Sequence, residues 1–532
     1  MSELTAILQK RLSTKDDHFV HFGRWFSTSE FKTDVLKVQQ LLNETGISLG
    51  KRIMLADGNS YAFLVTHIAL LTAGITIVPV NPQMPVPELR KVMARSNAIG
   101  AFIDPSLEDA MAMTPSEPDL LGMEPLSSVC RLLVSVHDEN DRFELHRIRT
   151  ERGPAAHAQS GSNDLYQPSI LPQIPEDAGA IIMFTSGTTG TPKGVELTHG
   201  QVMATIHHVV DSHRLTPEDI SYCFLPLFHV NAQVIAFLST LYSGGKLVVG
   251  EKFSASRFWD TVREFRVTWV SAVPTVIAIL VKAQDAKPAP PSLRFVRSAS
   301  APLPAFQAHR FESLFGVPVI ESYGMTEAAS QICVNPLPPG KRKIGSVGVP
   351  FGLDLRIIDA EGKSLPAGEI GEIAIRGDSV ITKYASGDDN GKSFNDGWFH
   401  TGDVGYKDPE GYVFITGRSK EMINRAGQKI SPREVEEVIA KHALVHSVAV
   451  IGLPDPVYGE RVVAYLIPEE GRSFTTTELA QFKEELRELC RQNLSSYKCP
   501  VEYFLVDAIP VGPTGKIQRH RLRQEVLAAG RA

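Results

Sequence analysis

Short apolar runs rich in β-branched residues recur along the first three hundred positions, separated by stretches in which apolar residues return with helical spacing. The runs are Arg52-Ile53-Met54-Leu55, Ile75 to Val78, Gly100-Ala101-Phe102-Ile103, Ile181 to Phe184, Lys246-Leu247-Val248-Val249, Thr268-Trp269-Val270 and Arg294-Phe295-Val296. Continuously apolar strands between helices predict α/β layers built on largely parallel sheets. Ala62 to Val80 is apolar enough to raise a membrane span, but His67, three threonines, Gly74 and Pro79 interrupt it. It reads instead as a buried helix from Tyr61 to Ala73 stopped by Gly74, then a buried strand. After about Gly345 the texture changes to short alternating strands, among them Leu355 to Asp359 and Glu369 to Ile375, which predict a small antiparallel, barrel-like unit. Beyond about residue 418 come a proline-started amphipathic helix at 431 to 439, strands near 446 to 452 and 461 to 467, and a charged helix at 477 to 493.

The expected fold class is therefore α/β. A large N-terminal domain, 1–417, would comprise α/β subdomains at 1–175 and 176–344 and a small β subdomain at 345–417. A hinge at 418–420 would lead to a mobile α+β domain at 421–532, of ordinary domain size. Residues 155 to 176, rich in Ser, Pro, Gln and Gly, read as an exposed connector.

Composition narrows the function more than the fold. With 43% hydrophobic and 21% charged residues over 532 positions, the chain is an ordinary globular one. Its net charge of -6 and scattered Lys and Arg leave no electrostatic footprint for nucleic acid or an anionic membrane. Cysteines 130, 223, 333, 490 and 499 are odd in number and contain no C-x-x-C pair, so neither a disulfide framework nor a zinc ribbon is expected. The N-terminus lacks signal-peptide character, and a reducing cytoplasm fits best. Monomer and homodimer both remain open.

The most informative segment is Thr185-Ser186-Gly187-Thr188-Thr189-Gly190-Thr191-Pro192-Lys193-Gly194, directly after an apolar strand. Its glycines let the main chain turn tightly with N–H groups facing inward, its hydroxyls add donors and Lys193 adds charge, as a polyphosphate needs. ATP is the natural guest. Pro192 and Gly194 depart from the Walker pattern, which sets aside Ras-like and kinase-like readings. Alone, the segment reads equally as a polar surface loop.

Four more segments remove that ambiguity: Glu321-Ser322-Tyr323-Gly324-Met325-Thr326-Glu327, Gly397 to Asp403 (Gly-Trp-Phe-His-Thr-Gly-Asp), Gly417 to Ile423 (Gly-Arg-Ser-Lys-Glu-Met-Ile) and Pro513-Thr514-Gly515-Lys516-Ile517. In this order the set resembles the adenylate-forming superfamily of acyl-CoA synthetases, peptide-synthetase adenylation domains and firefly-type luciferases. The resemblance spans nearly the whole chain. It implies attack of a carboxylate on the α-phosphate of ATP, loss of pyrophosphate, and transfer of the acyl group to a thiol. Two anions must meet, so fixed cations and donors are what the chemistry asks for.

The resemblance assigns roles. Lys516 would bridge α-phosphate and carboxylate, and Thr185 and Lys193 would hold the triphosphate. Glu327 would bind Mg2+, a hard cation suited to carboxylate oxygen. Thr326 would bond the α-phosphate, and Tyr323 would stack on adenine with Ser300-Ala301-Pro302 opposite and Glu321 near the exocyclic amine. Asp403 would take the ribose hydroxyls, with Arg418 reaching ribose or phosphate. Lys420 would be the hinge about which the C-terminal domain swings, bringing Arg425, Gly427, Gln428 and Lys429 to coenzyme A. His229 would gate the thiol tunnel, and Asn231, Trp269, Val273, Ala299, Ser300, Met325 and Ser330 would line the acyl pocket with it.

The acid is read less directly. Phe253 to Trp259, Leu293 to Ser300 and Asn335 to Pro338 look like the oxalate-activating branch, which carries histidines where this chain has Asn231 and Ser330. Malonate activators place an arginine where this chain has Ser322. A small dianion needs a second cation or several donors, so a fatty or other small monocarboxylic acid is expected first and oxalate second. A CoA ligase is the leading activity. A stand-alone enzyme loading a carrier protein, a luciferase-like oxygenase and a non-catalytic nucleotide-binding protein are the alternatives.

Overall fold

The computed structural model describes residues 2–13, 17–112, 132–139, 142–150, 173–185, 193–283, 288–385, 390–469, 474–512 and 517–529. Four sheets organise them. The first has seven strands in the order Arg142–Thr150, Leu132–Glu139, Gly100–Ile103, Arg52–Ala56, Thr76–Pro79, Gly179–Thr185, Lys193–Thr198. Its interior pairs are parallel and an antiparallel hairpin closes each edge. All twelve residues of the helix Tyr61–Thr72 are buried against it, and Gly74 follows with φ +69°, the left-handed turn expected there.

The second sheet has nine strands. Its parallel middle comprises Val319–Tyr323, Phe295–Ser298, Trp269–Ala272, Ile220–Cys223 and Lys246–Val249. The N-terminal hairpin His18–Phe22 and Arg24–Ser27 extends one edge, His18–Phe22 lying parallel to Lys246–Val249. Sheet membership thus differs from a division at 175/176. Residues 18–27 join the second sheet, whereas the two strands flanking the phosphate-loop sequence join the first. The segment His-Phe-Val-His-Phe mixes polar and apolar positions and gives no local sign of its partner 227 positions on, Val20 pairing with Leu247.

The third sheet is antiparallel, with Asp354–Ile358, Gly371–Arg376 and Trp398–Lys407 in order and both Phe394–Asn395 and Val413–Arg418 paired to Trp398–Lys407. The fourth is built on the long hairpin Val445–Asp455/Gly459–Pro468, covered by the helices Pro432–Ile439 and Thr476–Asn493. The N-caps of these helices, Ser431 and Thr475, accept hydrogen bonds from the backbone N–H groups of Glu434 and Glu478. The protein therefore has a large mixed α/β N-terminal domain and a smaller C-terminal one. The expected connector lies mostly outside the described residues, at 155–172.

Candidate active site

The parallel strands of the second sheet end together, and ligand crevices of open α/β sheets lie beyond such carboxyl ends. Past Phe295–Ser298 come Ser300, Ala301 and Pro302. At the end of Val319–Tyr323 stand Glu321, Ser322, Tyr323 and Gly324. All seven line a cavity of about 590 Å³. Its far wall comes from the rest of the chain: Asp403, Arg418 and Glu421, then Arg433, Glu436, Val511, Ile517 and Arg519. Gly324 is required by packing, since a Cβ there would stand 2.0 Å from the Ser330 carbonyl oxygen.

Three of the residues expected to hold the nucleotide meet directly. The Tyr323 hydroxyl donates to one oxygen of Asp403 at 2.5 Å, and Arg418 Nε donates to the other at 2.9 Å. Asp403 and Arg418 are cross-strand partners in the third sheet, which fixes their spacing. Burial, and then the neighbouring carboxylate, pushes the Tyr323 phenol far above its ordinary value, while Asp403 holds the Arg418 guanidinium up. Glu321 is 5% exposed, and burial raises its carboxyl to about 7, with Arg433 pulling the other way. Its Oε1 accepts the Leu303 N–H at 3.3 Å.

Glu327 lies in the short 3-10 turn Thr326–Ala328, 8% exposed, its carboxyl raised mainly by burial. The Tyr384 hydroxyl donates to its Oε1 at 3.0 Å. The ammonium of Lys193 sits over the ring of that same Tyr384, 4.8 Å from the centroid. Backbone bonds fix the arrangement: Ile381 N–H donates to the Glu327 carbonyl, and Ala385 N–H to the Gly194 carbonyl, both at 2.9 Å. The segment 381–385 therefore straps the lysine of the phosphate-loop sequence to the carboxylate turn. The sequence reading did not single out Tyr384, whose partner lies 57 positions away with no motif between. A desolvated carboxylate in this setting suits a divalent ion held through oxygen, so Glu327 fits Mg2+.

Other expected residues fall in different places. Thr185 and Lys193 are register partners at the ends of the strands Gly179–Thr185 and Lys193–Thr198. Ser186, Gly187, Thr188, Thr189, Gly190, Thr191 and Pro192 between them lie outside the described residues, as does Lys516. The described neighbours of Lys516, Val511 and Ile517, bridge one another and both line the cavity. Lys420 is exposed in the turn Ser419–Glu421. Around it, Arg519 joins Glu421 at 2.9 Å and Glu436 at 2.6 Å. Arg433 donates to the Ile415 carbonyl at 2.7 Å, and the Ser431 hydroxyl to that of Thr416. Gly427, Gln428 and Lys429 are exposed at the tip of the hairpin Ile423–Arg425/Gln428–Ile430, away from the cavity lining. Gly427 has φ +84° and open space around it, so the turn alone requires glycine there. Arg425 is tied down, donating to the Tyr497 carbonyl at 3.3 Å and stacking on Tyr458.

On the acyl side, His229 is half-buried, its pKa lowered to about 4 by desolvation, and its buried Nε2 has no hydrogen-bond partner. Asn231 opens a widened, π-type turn, Asn231–Leu238. Trp269 is fully buried and stacks on Phe295 in the core beneath, so it packs the sheet face and is not a wall of the crevice. Ala299 is buried and Val273, Met325 and Ser300 are partly or fully open. Ser330 adopts φ +89° and donates its N–H to the Met325 carbonyl at 2.9 Å. Arg297 lies within the run Leu293 to Ser300 and has no role of its own in the sequence reading. It is fully buried, and its Nη2 donates to the hydroxyl of Ser322 at 3.0 Å. A guanidinium therefore does stand beside Ser322, delivered from the neighbouring strand.

Comparison with known proteins completes the picture. The family model described as AMP-binding enzyme matches residues 9–385, and that of the AMP-binding enzyme C-terminal domain matches 434–516. The chain belongs to the AMP-binding enzyme family. Sulfoacetate–CoA ligase of Cupriavidus necator is 36% identical over 96% of this chain and 93% of its own length. Oxalate–CoA ligase of Arabidopsis thaliana is 33% identical over 92% and 91%. The adenylate-forming fold recurs in ATP-bound MatB from Rhodopseudomonas palustris, 26% identical, with a TM-score of 0.84 over 99% of both chains. It recurs as well in o-succinylbenzoate coenzyme A synthetase from Bacillus subtilis with ATP and magnesium ion, 25% identical, with a TM-score of 0.80 over 97% and 98%. This AMP-binding enzyme is thus an AMP-forming acyl-CoA synthetase, a carboxylate–CoA ligase that binds ATP and uses coenzyme A. Among its described residues no helix is long and apolar enough to cross a membrane.

Proposed function

We propose that the ligase adenylates a short carboxylic acid carrying a second anionic group and transfers it to coenzyme A. The observation that carries the nucleotide chemistry is the shared carboxylate of Asp403, bound by Tyr323 and Arg418 at the wall of a cavity to which both domains contribute. An adenosine seated there stacks on Tyr323 and offers its ribose hydroxyls to Asp403, a hydrogen-bond acceptor. The phosphates then run toward Lys193 and Glu327, already gathered around Tyr384. A bound Mg2+ supplies charge neutralisation across the phosphate oxygens. Lys516, entering from the C-terminal domain, balances the charge that builds as the acid's oxygen attacks the α-phosphate. Rotation about Lys420 then withdraws that cation and brings the hairpin of Arg425, Gly427, Gln428 and Lys429 to the acyl group, with His229 as a neutral gate.

The choice of acid draws on the two relatives named for sulfoacetate and oxalate, each an acid with two anionic groups. The sequence expectation of a monocarboxylic acid rests on Asn231, Ser322 and Ser330 standing where related enzymes carry cationic side chains. Arg297 beside Ser322 removes that objection. The test is pyrophosphate release and CoA thioester formation with ATP, Mg2+ and a panel of oxalate, sulfoacetate, malonate, acetate, propionate and octanoate. Thioester from at least one acid is expected. Its absence with every acid refutes the ligase reading.

A further inference from the structure

Arg297 is a buried charge without a counter-charge. Its Nη1 donates to Asn231 Oδ1 at 3.3 Å and to the Ser271 hydroxyl at 3.2 Å, and its Nη2 to the Ser322 hydroxyl at 3.0 Å. All three acceptors are neutral. Nε has no acceptor at all, and no carboxylate among the described residues forms an ion pair with the group. A neighbouring titratable group is His213, which its own burial, and then the guanidinium, hold neutral. Taking a charge out of water without a partner is strongly unfavourable, and a well-packed apolar residue would serve the core better. Burial pulls the guanidinium to about 9, so it stays charged at neutral pH.

The network around it has a direction. Asn231 Oδ1 accepts from both Arg297 and Ser271, which forces the amide to turn its Nδ2 donors the other way. Those donors face Ser300, to whose hydroxyl Nδ2 donates at 3.3 Å, and Ser300 is exposed and lines the cavity. Ser322 is spent, donating to the Cys333 carbonyl at 2.8 Å while accepting from Arg297. Directly behind the exposed Ser300 there is therefore a buried amide N–H donor, itself backed by an unneutralised cation in a low-dielectric interior, where its field is least screened.

We infer that Asn231, oriented and backed by Arg297, forms the subsite that recognises the second anionic group of the acid, with Arg297 as the positioning residue. This rests on the ligase reading above. An acid with a carboxylate or sulfonate at its far end supplies the counter-charge the pocket lacks; an acid ending in a methyl group leaves it uncompensated. Selectivity for doubly charged short acids follows from the fold of three adjacent strands, because Ser271 and Arg297 are register partners and Ser322 lies on the next strand.

The decisive measurement is the ratio of kcat/KM for the best doubly charged acid of the panel to that for propionate, in wild type, Arg297→Met and Arg297→Lys. In Arg297→Met the ratio is expected to fall by at least about 30-fold, the scale of truncating one partner of a buried charge pair. Arg297→Lys, keeping the charge, should restore part of it. A residue with only a packing role would depress both acids alike and leave the ratio unmoved, and that result overturns the inference. So does a wild-type enzyme that prefers propionate. Thioester from no acid instead removes the ligase reading itself. Should Arg297→Met not fold, the thermal shift of wild type by oxalate or sulfoacetate against propionate, without ATP, decides. A shift with the doubly charged acids alone supports the subsite, and equal shifts or none refute it.

Discussion

Replacing Glu321 by glutamine isolates the price of one buried carboxyl. In the folded protein the group is 5% exposed and titrates at about 7, raised by burial against the smaller opposing pull of Arg433 and the Leu303 N–H. Its ordinary value is 4.5. Because the folded value is the higher, the folded state keeps its proton where the unfolded chain has already lost it. Stability from this group is therefore whole below about pH 4.5, falls as pH rises from there to about 7, and levels off above. At about 1.4 kcal/mol per unit, the full fall is on the order of 3 kcal/mol. Glutamine keeps the acceptor for the Leu303 N–H but never ionises. The assay is urea denaturation of wild type and Glu321→Gln at pH 5 and pH 8, followed through the N-terminal domain. The variant should gain roughly 2 to 3 kcal/mol relative to wild type between the two pH values. An unchanged difference at pH 5 and pH 8 would refute the argument, because it would mean the carboxylate is solvated when charged.

Three further outcomes are expected. Asp403→Asn leaves Arg418 and Tyr323 with a neutral acceptor; weakened ATP binding, by on the order of 10- to 100-fold in Kd by calorimetry, is expected, since hydrogen bonds to a charged group contribute about 1.5 to 3 kcal/mol. Glu327→Gln retains the Tyr384 hydrogen bond but loses the charge, so adenylation should drop by about 100-fold and require far more Mg2+, read as a titration of pyrophosphate release. Lys516→Ala should slow pyrophosphate release by roughly 100-fold or more while thioester formation from a supplied acyl-adenylate proceeds near the wild-type rate; equal loss in both steps would place the lysine elsewhere in the cycle.

Much of the scaffold was legible because it is written in local patterns. The strands Gly100–Ile103 and Lys246–Val249 and the helix Tyr61–Thr72 with its glycine stop have the bounds or nearly the bounds their hydrophobic runs predict. The hairpin Leu132–Glu139/Arg142–Thr150 and the opening hairpin at 18–27 did not declare themselves, since edge strands with polar faces resemble loops. The π-type turn Asn231–Leu238 is indistinguishable from an ordinary apolar helix by composition. At the site, residues inside sequence motifs could be named in advance as candidates, whereas those joined only by the fold could not. Tyr384 reaches Glu327 from 57 positions away, and Arg297 reaches Asn231 from 66. A lone tyrosine or a lone arginine carries no signal until a register brings it to its partner.

The cavity that holds the candidate nucleotide residues owes one side to each domain. Occupancy and inter-domain docking are then a single linked equilibrium: whatever binds there also glues the halves together, and whatever separates them loosens the guest. Protease cleavage near Lys420 should accordingly be suppressed by ATP, and a severed N-terminal fragment should hold nucleotide more weakly than the intact chain in proportion to the wall it has lost.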